Sequence, residues 1–210
     1  MENLTIHEGA DAAAIADWIA QRLAKALGET EGPEAITVPG GSTPFPIFEE
    51  LVKHDLDFAR LLVWPGDDRI VPEEHLASNT GKIRALFEPA GVTVVPLVEE
   101  MGVPPFFDLV WLGMGADGHI ASLFPNTDPQ VDEPCTVKTL TPDPLPANAP
   151  FDRITMTLPT LLGTRELMFV MRGDDKRAVF DAALAGENDL PVARLLKAAG
   201  ERGIPVTVFA

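Results

Sequence analysis

The sequence of 210 residues holds a single cysteine, Cys135. One thiol excludes an intramolecular disulfide and fits a reducing compartment, so a cytoplasmic location is expected. Bases are also scarce: 16 Lys and Arg stand against 32 Asp and Glu, a net charge of −16. A surface of that sign repels nucleic acid and anionic lipid, and neither is expected as a partner. A small anion is still admissible, provided that a local cluster of those few bases meets it. No apolar run approaches the ~20 residues that a membrane helix needs. Met1–Thr5 has an early Glu2 and no basic-then-apolar stretch, so no secretory signal is expected. His7, His54 and His75 show no paired spacing and there is no cysteine cluster, so no metal site is expected.

What is present fits a globular chain. Apolar residues make up 46% and charged residues 23%, and the length suits one domain over residues 1–210. Strand and helix signals alternate. Leu4–His7 reads as a strand, followed by a helix from Asp11 to about Leu27 with Gly28 as its stop. Ala35–Val38 is a β-branched run, and a helix from about Pro46 to Lys53 follows, with Ser42 or Thr43 as its cap. Leu61–Trp64 is a strand, Ser78–Phe87 a helix capped by Ser78 or Asn79, and Val92–Pro96 a strand or stub. Phe106–Leu112 is the most strand-like run, with a short helix expected after His119. Cys135–Leu140, Arg153–Thr157 and Glu166–Met171 read as strands. Helices are expected over Asp174–Leu184, closed by Gly186, and over Pro191–Ala199, with a last strand at Val206–Phe209. This alternation predicts an α/β fold on a mainly parallel, Rossmann-like sheet.

In such sheets ligands bind beyond the carboxyl ends of the strands. Three strands end in unusual sequences, and a parallel sheet would bring all three to one edge. Pro39-Gly40-Gly41-Ser42-Thr43-Pro44 offers backbone N–H groups, hydroxyls and a helix start suited to a phosphate. It is not a Walker A loop, and taken by itself it also fits an ordinary tight turn. Asp67-Asp68-Arg69 reads either as a solvated charged turn or as charge presented at the ligand edge. Gly115-Ala116-Asp117-Gly118-His119 is the strongest signal: histidine is the usual general acid or base near neutral pH, and Asp117 is close enough to orient its ring. Ser122 follows at i+3, but no Gly-x-Ser-x-Gly elbow supports a serine hydrolase. Cys135 has no activating partner in sequence. Lys176 in the first turn of its helix opposes the helix dipole, a placement that a bound anion would make favourable.

The same residues carry a resemblance. The chain is similar to the 6-phosphogluconolactonases, of the fold group that also holds glucosamine-6-phosphate deaminase and ribose-5-phosphate isomerase. The matching stretches are Pro39–Pro44, Asp67-Asp-Arg-Ile-Val-Pro72 continuing to Ser78-Asn79, Asp108–Pro125, Arg153–Pro159 and Gly173-Asp-Asp-Lys176. The resemblance implies a three-layer sheet of the sugar-phosphate isomerase/CoA-transferase-like type and hydrolysis of 6-phosphoglucono-1,5-lactone to 6-phosphogluconate without a cofactor. It makes His119 the general base, with Asp117 or Asp67 holding the imidazole or the water. Backbone N–H groups near Gly118 would be oxyanion donors. Gly40, Gly41, Ser42, Arg69, Asn79, Arg153 and Lys176 would bind substrate and its phosphate. A phosphorylated sugar lactone is then the expected partner, and the chain a monomer or small homo-oligomer. Three features depart from the family pattern: Asp68 stands where Glu is usual, Ile120 follows the histidine in place of Thr, and the segment between Val95 and Pro105 is short. A deaminase-like sugar-phosphate isomerase is the alternative. The sister deaminases typically carry Tyr where Arg69 stands, and the Arg favours the lactonase. A sugar-phosphate sensor would need a DNA-binding part, and an NAD-dependent oxidoreductase would need a glycine fingerprint after its first strand.

Overall fold

The computed structural model describes residues 3–146 and 149–210. Seven parallel strands form the main sheet: β1 (Leu4–His7), β2 (Glu34–Val38), β3 (Leu61–Pro65), β5 (Thr93–Val94), β6 (Leu109–Leu112), β9 (Leu167–Val170) and β10 (Val206–Phe209), in the spatial order β1-β10-β9-β6-β2-β3-β5. Three more, β4 (Asp67–Arg69), β7 (Val137–Leu140) and β8 (Arg153–Met156), form a small antiparallel sheet in the order β4-β8-β7. From β2 the chain builds outward through β3 to β5. It then returns to the other side of β2 as β6 and continues through β9 to β10. The order therefore reverses between β2 and β6, and such a switch point opens a crevice beyond the carboxyl ends of the two strands.

Alternation along the strands feeds two cores. Ile36, Val38, Val63, Leu109, Trp111, Met168 and Val170 face one side with Ile15, Ile19 and Leu23 of helix α1 (Ala12–Glu29), Ile47 and Phe48 of α2 (Phe45–Leu51) and Ile83 and Phe87 of α3 (Asn79–Phe87). Ala35, Val110, Leu112, Leu167, Phe169, Val206 and Val208 face the other. They pack against Phe180 of α5 (Asp174–Leu184), Val192 and Leu195 of α6 (Pro191–Glu201), and Ile154 and Met156 of β8. The sheet is buried on both faces, which is why its strands read as almost unbroken apolar runs. The ring of Phe48 lies 5.1 Å from those of both Phe87 and Trp111, and its truncation to Ala would cost about 3–5 kcal/mol.

Local chemistry sets the ends of the helices. Asp11 accepts the Ala14 N–H at 2.9 Å and Ser78 accepts the Gly81 N–H at 3.0 Å, as capping residues do. Gly28 lies inside α1, which continues past its last buried residue, Leu27, to Glu29. Pro44, with no side-chain bond, occupies the cap position of α2, so neither Ser42 nor Thr43 caps it. No α-helix follows His119. There the chain makes a tight turn through Ile120–Leu123 and then a 3-10 turn at Pro125–Thr127. A one-turn helix, α4 (Leu158–Leu161), follows β8. The short segment after Val95 carries no helix and leads directly to Phe107, whose backbone pairs with Gly163 at 2.8 Å.

Candidate active site

Asp67-Asp68-Arg69 is a strand, not a charged turn. Gly66 passes the chain from β3 to β4 by donating to Val38 O at 3.1 Å and accepting from Met156 N at 3.0 Å. A strand sends alternate side chains to opposite faces, and that splits the acidic pair. Asp67 and Arg69 line a cleft at the switch point. Asp68 turns away and is buried, where it accepts the N–H groups of Asn79 at 2.6 Å and Thr80 at 2.8 Å. This carboxylate at the first turn of α3 matches the positive end of the helix, and it ties that turn to β4. Asn79 is thereby carried to the cleft, where its Nδ2 donates to Asp67 O at 2.9 Å. A Cβ on residue 40 would sit 2.1 Å from Asn79 Oδ1, so the loop after β2 passes this amide only with glycine at that position.

The cleft has a volume of about 380 Å³. Its walls include Gly40, Gly41, Ser42, Asp67, Arg69, Asn79, His119, Arg153 and Lys176, nine of the ten residues singled out in the sequence. The tenth, Asp117, stands behind the histidine, its Oδ1 2.6 Å from His119 Nδ1. The imidazole folds back over its own loop, and a Cβ on residue 115 would lie 2.2 Å from His119 Cε1. Phe124 supports the ring from the side at 4.9 Å between centroids. The Gly118 N–H donates to Gly115 O at 3.0 Å and the His119 N–H to Asp117 Oδ1 at 3.2 Å, so the loop amides expected as oxyanion donors are consumed within the loop itself.

The cations converge. Arg69 and Arg153 are direct partners across the β4–β8 ladder, a placement that costs energy between like charges unless an anion joins them. Burial, and then the Arg69 charge beside it, pulls the Arg153 guanidinium below the ordinary arginine value. Arg153 also donates to Phe151 O and Ala149 O at 2.6 and 2.8 Å, which secures the loop before β8. Among the described residues the buried Nε of Arg69 has no partner, and Lys176 makes no ion pair. Burial pushes the Asp67 carboxyl above the usual range, and the Ser122 hydroxyl and the Arg69 charge oppose that push.

Sequence spacing missed Ser122, Trp111, Met114, Phe124 and Val170 as cleft residues. Ser122 had a signal, its distance from His119, but its Oγ bonds to Asp67 Oδ2 at 2.5 Å. A larger hollow of about 780 Å³ between α5 and α6 holds none of the singled-out residues. Its Arg194 is already engaged by Asp128 and Asp189. Among the described residues no group of three His, Cys, Asp or Glu side chains is arranged to hold a metal ion, and no helix is long and apolar enough to cross a membrane.

Residues 7–100 and 93–202 match the family described as glucosamine-6-phosphate isomerases/6-phosphogluconolactonase. The chain belongs to that family. A 6-phosphogluconolactonase of Pseudomonas putida is 36% identical over 88% of this chain and 85% of its own length. One of Neisseria meningitidis is 34% identical over 94% and 93%. Among solved structures, a Neisseria gonorrhoeae chain given the same name provisionally superposes with a TM-score of 0.81 at 31% identity, covering 99% of both chains. The overall fold is thus shared with that neighbour, and in this chain the small antiparallel sheet that the sequence did not disclose supplies Asp67, Arg69 and Arg153 to the cleft.

Proposed function

We propose that this chain hydrolyses 6-phosphoglucono-1,5-lactone to 6-phosphogluconate, the lactone-opening step of the oxidative pentose phosphate route. One observation carries the reading: a histidine oriented by a carboxylate shares a cleft with three cationic side chains in a protein of net charge −16. On such a background a doubly charged phosphate binds only where contacts are local. Charge-assisted hydrogen bonds are about twice as strong as neutral ones, and exposed charges beyond ~8–10 Å are largely screened by salt. Arg69, Arg153 and Lys176 hold the phosphate together with Asn79 and the Gly40–Ser42 loop, whose amides make no other hydrogen bond among the described residues.

The chemistry follows from the His119–Asp117 pair. With Nδ1–H donated to the Asp117 carboxylate, Nε2 is left unprotonated and takes a proton from water as that water attacks the lactone carbonyl carbon. The tetrahedral intermediate collapses with cleavage of the bond from that carbon to the ring oxygen. The imidazolium returns the proton to the leaving oxygen, and a carboxylic acid forms that ionises in water. Since Asp117 holds the imidazole, Asp67 is the carboxylate available to orient the attacking water. The relatives named above as 6-phosphogluconolactonases support the substrate, and Arg69 at its position favours it over an aminated sugar phosphate. The test is turnover of freshly prepared phosphorylated lactone, corrected for spontaneous opening, beside ammonia release from glucosamine 6-phosphate. The reading expects the first and no detectable second; ammonia release without lactone turnover would overturn it.

A further inference from the structure

Ser122 stands three residues after His119, yet its hydroxyl is turned to a different partner. Its Oγ donates to Asp67 Oδ2 at 2.5 Å, and its N–H donates to Thr155 Oγ1 at 3.2 Å. Thr155 and Asp67 are opposite one another in the β4–β8 ladder, so both ends of Ser122 are fixed to one rung of the small sheet. The residue is 1% exposed, although it lies at the floor of the cleft. The backbone is bent to put it there. Ala121 has φ of +48°, a left-handed conformation that a residue with a Cβ adopts only under strain. Leu123 N closes the turn on Ile120 O at 2.9 Å. A strained residue and two hydrogen bonds thus serve to place one hydroxyl under one carboxylate.

The carboxylate needs it. The charged groups that act on Asp67 are Asp68, on the opposite face of its own strand, Arg69 from that strand, His119 from the loop after β6, and Arg153 from β8. Burial favours the protonated carboxyl, and so does the charge of Asp68; Ser122, Arg69 and His119 act the other way, with the Ser122 hydrogen bond the largest of the three. Protonated, Asp67 would turn one oxygen into a donor and offer the water only an uncharged, weaker acceptor.

We propose that Ser122 is a positioning residue, neither nucleophile nor base, whose hydroxyl fixes the Asp67 carboxylate in its ionised form and aims its other oxygen at the attacking water. The proposal rests on the lactonase reading for what Asp67 does, but not for the Ser122–Asp67 link itself.

The experiment is Ser122→Ala, with Ser122→Thr as the hydroxyl-retaining companion. kcat/KM for fresh phosphorylated lactone is followed from about pH 5 to 8. Protonation of His119 and of Asp67 together set the acid limb; a hydrogen bond to a charged group is worth about one pH unit or more, so in the Ala variant the Asp67 part of the limb should move up, with a further loss of up to about tenfold at the acid end. The loss should be smaller on the alkaline side, where Asp67 ionises without the hydroxyl and only its aim is affected, and Thr should restore the limb. Parallel profiles with the same loss at every pH would overturn the proposal, as would a covalent acyl-enzyme in the wild type that the Ala variant lacks. Carboxyl 13C titration of Asp67 in both proteins reads the link without turnover. A titration that moves upward in Ser122→Ala supports the link even if the wild type fails to open the lactone, an outcome that overturns only the lactonase reading. An unmoved titration overturns the link even in an active enzyme.

Discussion

Lys176→Ala separates phosphate recognition from catalysis with the least structural disturbance. Arg153 is buried and props up the Ala149–Phe151 segment, so its removal would disturb the cleft for reasons unrelated to ligand. Lys176 is half-buried, faces the cleft from the first turn of α5 and has no ion-pair partner among the described residues. Its ammonium is held against the positive end of α5, so a bound anion removes an unfavourable interaction as well as adding an attraction. A hydrogen bond to a charged group contributes about 1.5–3 kcal/mol, and tenfold in an equilibrium corresponds to about 1.4 kcal/mol. Lys176 is partly open to solvent, which favours the lower part of that range. KM for the phosphorylated lactone should therefore rise about 10- to 30-fold, with kcat within about threefold of wild type. Unphosphorylated gluconolactone offers nothing for the ammonium to bind, and its kcat/KM should not change. Both substrates are assayed within seconds of dissolution, against a blank that measures spontaneous opening. Equal losses on the two lactones, or no loss on either, would refute the assignment of Lys176 to the phosphate.

Two further outcomes are expected. Asp117→Asn removes the charge that sets the tautomer of His119 while keeping the shape; because the pair is partly solvent-exposed, the expected fall in kcat is about 10- to 100-fold with KM steady, and an unchanged kcat would show that the ring needs no orienting carboxylate. At the opposite end of the sheet, burial and the neighbouring Glu34 raise Asp108 to about 7, so the folded protein binds a proton there that the unfolded chain has lost above about pH 4. Stability from this group falls as pH rises through that window, and the Asp108→Asn variant should gain in Tm relative to wild type between pH 5 and pH 8; a constant offset across that range would contradict the assignment.

The sequence disclosed much of this site because the residues that carry it follow sheet strands. β2, β3 and β6 read plainly as apolar runs, and the parallel topology alone sends the segments after them to one edge. His119 and Asp117 were legible from two-residue spacing, since the loop between them is too short to part them. What the sequence did not disclose is tertiary. Asp67-Asp68-Arg69 has the composition of a turn, and only its pairing with Arg153–Thr155 makes it a strand that points one acid into the cleft and the other at α3. The partner of Ser122 lies 55 residues away, beyond the reach of any local pattern. The availability of the Gly118 amide is decided by a hydrogen bond within its own turn, which composition does not encode.

His119→Ala, assayed on fresh 6-phosphogluconolactone and paired with calorimetric binding of 6-phosphogluconate, tests the central claim most directly. The account predicts that kcat falls by about 10²–10⁴ while binding of the product stays within about threefold of wild type. Turnover close to that of the wild type would contradict it.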